Sequence, residues 1–119
     1  MDLNMAFNEF ELKKCEKALK SFLERKRPPS HIRKQLDLSY RLKGQSVEVF
    51  EVRPRWDNPN EIMETPVAKA TYVKTRRIWK IYWQRADLKW HTYEPHPKAK
   101  DLDEFLKVVE SDDYACFFG

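Results

Sequence analysis

The chain has 119 residues, of which 41% are hydrophobic and 35% are charged, and its formal net charge is +4. This length and composition predict a single compact domain over residues 1–119, folded around its own core. Only two glycines are present, which excludes glycine-rich phosphate loops, and no apolar run approaches the roughly 20 residues that cross a membrane.

The cysteines and the N-terminus bear on the compartment. Cys15 and Cys116 lie at opposite ends of the chain, which gives neither a disulfide framework nor the paired spacing of a zinc site. The first ten residues contain an early acid and no basic, apolar leader, unlike a secretory signal. We therefore expect a cytoplasmic protein with free thiols, no metal and no cofactor.

Charge is distributed unevenly along the chain. Residues 13–34 contain nine basic residues and two acids, and residues 67–93 contain seven basic residues and one acid. Residues 94–119 reverse the balance, with seven acids and three lysines. Two basic segments are consistent with a polyanionic partner, although such segments also occur as ordinary solvated faces.

The first predicted element is a helix over residues 8–25. Asn8 is a suitable N-cap, and Glu11 stands at the capping-box position three residues later. Apolar residues at helical spacing form one stripe: Leu12, Cys15, Leu19, Phe22 and Leu23. Pro28 and Pro29 end the helix, and Ser30 begins a turn or two through Gln35.

Alternating apolar residues next predict two paired strands, over residues 36–42 and 46–53, joined by a turn at Gly44. Residues 54–66 contain three prolines and Trp56, and we expect a polar connection that is unusually long for a loop. The third strand is predicted over residues 67–74.

The aromatic stretch over residues 78–93 is expected to organise the sheet. Trp79 and Trp83 alternate with Lys80 and Tyr82, which predicts a strand with one buried face. Residues 85–87 are a short connection, and residues 89–93 supply a last strand. We expect Trp79, Trp83 and Trp90 all to be mainly structural, because they share the apolar register of their strands.

A final helix is predicted after Asp101, which is its N-cap, with Glu104 at the capping-box position. The apolar tail, including Phe117 and Phe118, is expected to pack on the core. The order of elements predicts an α+β fold, in which an antiparallel sheet of four or five strands (a meander) carries an N-terminal and a C-terminal helix.

The sharpest functional hypothesis is a non-enzymatic binding module that uses the basic, aromatic-rich sheet region. Lysines and arginines follow phosphates, and exposed rings stack on bases, so nucleic acid is one candidate partner. A protein partner that contacts the sheet face or the Trp56 loop is the other. The predicted contact residues are Trp56, Arg76, Arg77, Lys80 and Tyr82. No membrane contact is expected.

An undetected enzyme is the third hypothesis, based on a polar cluster of alternating residues: Arg85, Asp87, Lys89 and His91. Asp87 is placed to orient His91, while the basic residues hold an anion. The alternative is a structural Arg–Asp pair at a hairpin beside a half-exposed histidine. No nucleophile motif accompanies the cluster, and Cys116 beside two phenylalanines lies in a setting that disfavours a thiolate.

Several runs together resemble a known family: R-P-P-S-H-I-R, P-V-A-K-A-T-Y-V-K, W-K-I-Y-W-Q-R-A-D-L-K-W-H-T-Y and the terminal C-F-F-G. The family consists of short bacterial proteins classed as a domain of unknown function, number three thousand and twenty-four. The resemblance covers the chain from about Arg27 to Gly119 and implies one compact, cytoplasmic bacterial domain. It implies no activity, cofactor or catalytic residue.

Overall fold

The computed structural model describes residues 7–118, which form two helices and one antiparallel sheet. In chain order the elements are α1 (Glu9–Lys26), β1 (Asp37–Lys43), β2 (Ser46–Pro54), β3 (Ile62–Val73), β4 (Ile78–Gln84), β5 (Trp90–Thr92), β6 (Lys98–Ala99) and α2 (Leu102–Ser111). The strand order is β1-β2-β3-β4-β5, and β6 pairs with β4. This confirms the predicted α+β meander with a helix at each end. Strand β6 was not predicted from the sequence, because a strand of two residues is too short to show alternating hydrophobicity.

Helix α1 begins as the sequence predicts. The side chain of Asn8 accepts a hydrogen bond from the backbone N–H of Glu11 at 2.8 Å, and the Glu11 carboxylate accepts one from Asn8 at 2.9 Å. This reciprocal pair satisfies two of the backbone donors that a helix start leaves free. Arg27 has extended backbone angles, and the helix ends there, just before Pro28. No helix within residues 7–118 is long and apolar enough to cross a membrane.

The core lies between the helices and one face of the sheet. Alternate residues of the central strands point to it and are fully buried: Val47, Val49, Ala68, Ala70 and Ile81. Phe22 of α1 and Phe105 of α2 cover them and are also fully buried. Trp79 lies in the same cluster, with its ring centroid 5.0 Å from that of Tyr72.

The opposite face of the sheet points to solvent. Residues directly opposite each other on neighbouring strands share a face, and successive residues alternate. Phe50 is buried on this outer face, separate from the main core, with the Arg41 guanidinium 4.3 Å above its ring centroid. Arg41 in turn contacts Glu48 of β2 and Glu64 of β3, so the arginine on the β1–β2 half of the outer face is paired with two acids.

The predicted long connection over residues 54–66 is wrong. Strand β2 continues to Pro54 and β3 begins at Ile62, so the connection spans only residues 55–61. Proline is tolerated in a strand where its missing N–H faces away from the neighbouring strand. Pro54 pairs with Ile62 and Pro66 with Phe50, and both prolines occupy such positions.

The predicted placement of Trp90 with the core tryptophans is also wrong. Trp90 pairs with Gln84, and His91 pairs with Trp83, so Trp90 lies on the face opposite to Trp79 and Trp83. The connection sets this register, because a one-residue change in its length would turn every following side chain over. Trp79 is buried as predicted, whereas Trp83 is only partly buried against the core.

The C-terminal tail packs on the core, as the sequence predicts. Phe117 is buried, with its ring centroid 4.6 Å from that of Tyr93, and the half-buried Phe118 ring lies 5.2 Å from the Lys26 ammonium. The Asp112 carboxylate accepts the backbone N–H groups of both phenylalanines at 2.9 Å. The tail is therefore held by backbone hydrogen bonds as well as by apolar contact.

Helix α2 begins at its predicted cap, but its capping box is incomplete. The Asp101 side chain accepts from the backbone N–H of Glu104 at 2.8 Å. The Glu104 carboxylate does not return to Asp101; it accepts from the Lys100 backbone at 3.0 Å and lies 2.7 Å from Nε2 of His96. Glu104 therefore ties the β6 region to the helix start.

Candidate functional site

The outer side of strands β3 to β6 forms one surface of lysine, aromatic and threonine side chains, which we name the Lys–aromatic face. Its members are Lys69, Thr71, Lys80, Tyr82, Trp90, Thr92 and Lys98. Tyr82 pairs with Lys69 on one side and Thr92 on the other, and Lys80 pairs with Thr71 and Lys98. Trp90 lies two residues before Thr92 and therefore points to the same side.

Two aromatic rings and one ammonium group form the centre of this face. The Lys69 ammonium lies 5.5 Å from the ring centroids of both Tyr82 and Trp90. At this distance a ring attracts a cation through its quadrupole. Both rings are half-buried, so part of each remains accessible. The contact orders Lys69 without neutralising its charge.

None of the three lysines of the Lys–aromatic face forms an ion pair with a described residue. The ion pairs recorded among residues 7–118 use other basic groups, most of them arginines, as in the contact of Arg41 with Glu48 and Glu64. The face also contains no carboxylate of its own. Positive charge is therefore concentrated at Lys80 and Lys98, whereas Glu48 of β2 stands directly opposite Lys69 at the margin of the face.

Lys80 and Lys98 face each other directly across the β4–β6 ladder. Their Cβ atoms are then expected to be about 5 Å apart, where like charges destabilise a sheet. Both side chains are exposed, and water reduces this repulsion without removing it. An anion bound between the two ammonium groups would convert an unfavourable contact into a favourable one.

The structure separates the five contact residues that the sequence suggests. Lys80 and Tyr82 belong to the Lys–aromatic face, and Arg76 and Arg77 are exposed in the adjoining β3–β4 turn. Trp56 lies in the β2–β3 connection at the opposite end of the 12-residue strand β3. That length corresponds to roughly 35–40 Å, so Trp56 cannot share a small contact with the arginines.

The contact residues predicted from the sequence include neither Lys69 nor Trp90, and sequence reasoning missed Thr71, Thr92 and Lys98 altogether. Lys98 lies in a two-residue strand just after Pro97, where alternation cannot be recognised. The threonines carry no strong functional signal on their own. Only the register of β3, β4, β5 and β6 brings the three residues together.

The polar cluster at the β4–β5 hairpin is partly assembled. Oδ2 of Asp87 lies 2.8 Å from Nε2 of His91, while Oδ1 accepts the backbone N–H of Lys89 at 2.9 Å. The Lys89 N–H, followed by the His91 side chain, holds the pKa of Asp87 below its ordinary value. The Arg85 guanidinium lies 5.7 Å from the Trp83 ring centroid and makes no recorded ion pair with Asp87.

A cleft of about 590 Å³ adjoins this hairpin, between β5 and the C-terminal tail. Its lining includes Trp83, Arg85, His91 and Cys116. Burial, and to a lesser degree the Asp112 carboxylate, raise the pKa of the Cys116 thiol, which disfavours the reactive thiolate. Burial likewise raises the pKa of Cys15, to about 11. Over residues 7–118, no group of three or more His, Cys, Asp or Glu side chains is arranged to hold a metal ion.

Comparison with known proteins identifies a family. The model of a domain of unknown function, DUF3024, matches residues 7–119. The chain belongs to the DUF3024 family. No curated protein and no solved structure matches the chain. The DUF3024 match includes every residue of the Lys–aromatic face, so this face is part of the family's domain.

Proposed function

We propose that the protein is a non-enzymatic binding module, and that its Lys–aromatic face binds single-stranded nucleic acid. The observation that carries the proposal is the combination of three unpaired lysines with two accessible rings on one open sheet face. Lysines can neutralise phosphates while the rings of Tyr82 and Trp90 stack on bases. An open sheet that presents aromatic rings suits splayed, unpaired bases.

The asymmetry of the sheet favours a polyanion over an ordinary protein surface as the ligand. If the lysines served solubility alone, acids would be expected among them, as around Arg41 on the same sheet. Arg76 and Arg77 extend the positive surface beyond the end of the face, where they can contact further phosphates. Duplex recognition is less suitable, because the major groove admits a helix or a two-stranded ribbon, whereas this face spans four strands.

The hairpin geometry supports a structural role for the polar cluster over the enzymatic hypothesis. Asp87 uses one oxygen on the Lys89 backbone and the other on His91, which closes the turn around Leu88. Leu88 has a positive φ of 64°, a conformation that costs energy for a leucine and that such contacts help to hold. In this proposal His91 stabilises the β4–β5 hairpin through Asp87, and Arg85 and Lys89 are exposed cations beside the hairpin.

Binding of fluorescein-labelled oligouridylate and oligothymidylate, measured by anisotropy at several salt concentrations, tests the proposal. The triple variant Lys69→Ala, Lys80→Ala, Lys98→Ala should lose most of the affinity. The slope of log affinity against log salt should fall by about 0.7 for each phosphate contact removed. A matched control removes the same charge from the exposed side of α1: Lys13→Ala, Lys17→Ala, Lys20→Ala.

Stacking is tested separately with Trp90→Leu and Tyr82→Leu. Each should weaken binding, by about 1–3 kcal/mol for a stacked base, and leave the salt slope unchanged. An equal loss of affinity in the triple variant of the Lys–aromatic face and in the triple variant of α1 would show non-specific electrostatic attraction and overturn the proposal. Tighter binding of a duplex than of single strands would also contradict it.

A further inference from the structure

The edge of β3 that faces away from β2 is unpaired over about half of the strand's length. Strand β4 pairs with β3 only from Lys69 to Val73, while β2 pairs with β3 from Ile62 onwards. Within residues 7–118, residues 62–66 therefore have a neighbouring strand on one side only, and all five are exposed. An unprotected edge of this kind is a template for another strand.

The hydrogen-bond pattern shows which backbone groups point outward. The Arg55 N–H donates to the Glu61 carbonyl at 2.9 Å, so residues 55 and 61 form a hydrogen-bonded pair. Hydrogen-bonded and non-hydrogen-bonded pairs alternate in an antiparallel ladder. Ile62 and Glu64 consequently direct their N–H and C=O groups away from β2, and no described group receives or donates to them there.

The prolines of this ribbon agree with that pattern. Pro54 and Pro66 both fall in non-hydrogen-bonded pairs, opposite Ile62 and Phe50 respectively. Each therefore lacks only an N–H that the β2–β3 ladder does not use. The outward N–H donors on the free edge thus come from Ile62 and Glu64, two residues apart, whereas Pro66 has only a carbonyl.

Large apolar side chains surround the edge. Trp56 is 92% exposed, Ile62 64% and Met63 40%, and all three line a shallow hollow of about 440 Å³. Exposed apolar groups that share one hollow are typical of an interaction site. The aromatic and methionine content fits the composition of interface centres.

The charged side chains beside this edge are engaged in ion pairs within the chain, in which each arginine contacts two acids. Arg55 contacts both Asp57 and Glu61, and Glu64 contacts Arg41. The charged groups beside the edge therefore already have partners within the chain. The edge's two outward donor–acceptor sites are complementary to themselves under a two-fold rotation, which favours an identical strand as the partner.

We propose that the open edge of β3 pairs with the same edge of a second copy of this chain. Ile62 would exchange both backbone hydrogen bonds with Glu64 of the partner subunit, and Glu64 with Ile62 of the partner subunit. Met63 would then lie directly opposite Met63 of the partner subunit, on the two-fold axis. The contact joins two sheets at the end remote from Arg76 and is independent of the nucleic-acid proposal.

The contact is small, so the dimer is expected to depend on concentration. Sedimentation equilibrium between roughly 10 μM and 1 mM, the range suited to such small contacts, should show the average mass rising from 14.4 kDa towards twice that value. Ile62→Pro removes one outward N–H, as Pro66 already does, and should leave a monomer with an unchanged fold. Ile62→Val keeps the N–H and should retain association.

Disulfide trapping tests the register itself. In a Cys116→Ser background, Met63→Cys should form an intermolecular disulfide with diamide, because its Cα would lie about 4.5 Å from that of its mate. Thr65→Cys lies on the same face but about 14 Å from its mate in this register, and it should remain reduced.

Two results would overturn the inference. The first is an average mass equal to that of one chain at the highest protein concentration. The second is an intermolecular disulfide that forms equally at positions 63 and 65, or at neither. If Ile62→Pro lowers the melting temperature, the trapping comparison alone decides. Loss of nucleic-acid binding in the lysine triple with dimerisation intact would confirm that the two surfaces act separately.

Discussion

At the residue scale, the position of each aromatic ring in the register determines what the ring can do. Trp79 is 6% exposed and packs against Phe7 and Tyr72, with centroids 5.7 and 5.0 Å away. Trp90 lies on the outer face beside Lys69. Two tryptophans with similar sequence surroundings therefore differ in role, one filling the core and the other available to a ligand.

Trp79→Ala is expected to lower the free energy of unfolding by about 3–5 kcal/mol, because it empties a buried aromatic site. Trp90→Ala should cost much less, since its ring leaves a half-exposed position. Urea unfolding of the two variants, followed by circular dichroism, makes the comparison. Equal losses would mean that Trp90 is also structural and would remove it from the proposed binding face.

The sequence predicts the alternation of Trp79, Lys80 and Tyr82 correctly, because it depends only on strand geometry within β4. It cannot predict the face of Trp90, because that depends on the exact length and turn type of the connection. The connection holds Leu88 at positive φ, a conformation usually taken by glycine or asparagine, so no turn residue marks the position. Sequence alone therefore does not assign Trp90 to the Lys–aromatic face.

At the element scale, caps were predictable and strand ends were not. Asn8 and Asp101 cap their helices as the local sequence indicates, since capping uses neighbours within a few residues. The sequence does not predict that β2 extends to Pro54 and that β3 includes Pro66, because the effect of a proline depends on which side of the ladder its nitrogen faces. The same extension creates the open edge of β3.

The end of α1 is tied to the start of β1 by a bidentate pair. Nε and Nη2 of Arg27 donate to Oδ1 and Oδ2 of Asp37, both at 2.8 Å. The Arg27 hydrogen bonds hold the pKa of Asp37 below its ordinary value of 3.8. The folded state therefore favours the carboxylate, and this stabilisation is present above about pH 4 and is lost as the pH falls through the folded pKa.

Asp37→Asn should accordingly destabilise the protein at pH 7 by about 1 kcal/mol or less, as expected for a partly exposed pair. The difference from the parent protein should shrink as the pH is lowered from 4 to 2. Urea unfolding at a series of pH values provides the measurement. A difference that stays constant down to pH 2 would show that the carboxylate charge contributes nothing.

At the scale of the whole molecule, the sheet has three structurally distinct regions. Its inner face forms the core with α1 and α2, the outer face of β3 to β6 carries unpaired lysines, and the β2–β3 ribbon carries an open edge. A dimer through that edge would place two Lys–aromatic faces in one particle. A single-stranded nucleic acid long enough to reach both faces would then bind more tightly than a short one, because binding to the first face raises its effective concentration at the second.

The last prediction concerns the cost of the Lys–aromatic face to the fold. Lys80 and Lys98 are directly opposed, so Lys80→Thr should raise the free energy of unfolding by about 0.2–1 kcal/mol. The new threonine would also face Thr71, a favourable cross-strand pair. The same substitution should weaken binding of single-stranded nucleic acid. Parallel measurements of urea unfolding and oligonucleotide anisotropy test both effects. A variant that loses both stability and binding would show that Lys80 supports the fold, whereas a gain of stability with a loss of binding is the signature of a residue kept for its ligand.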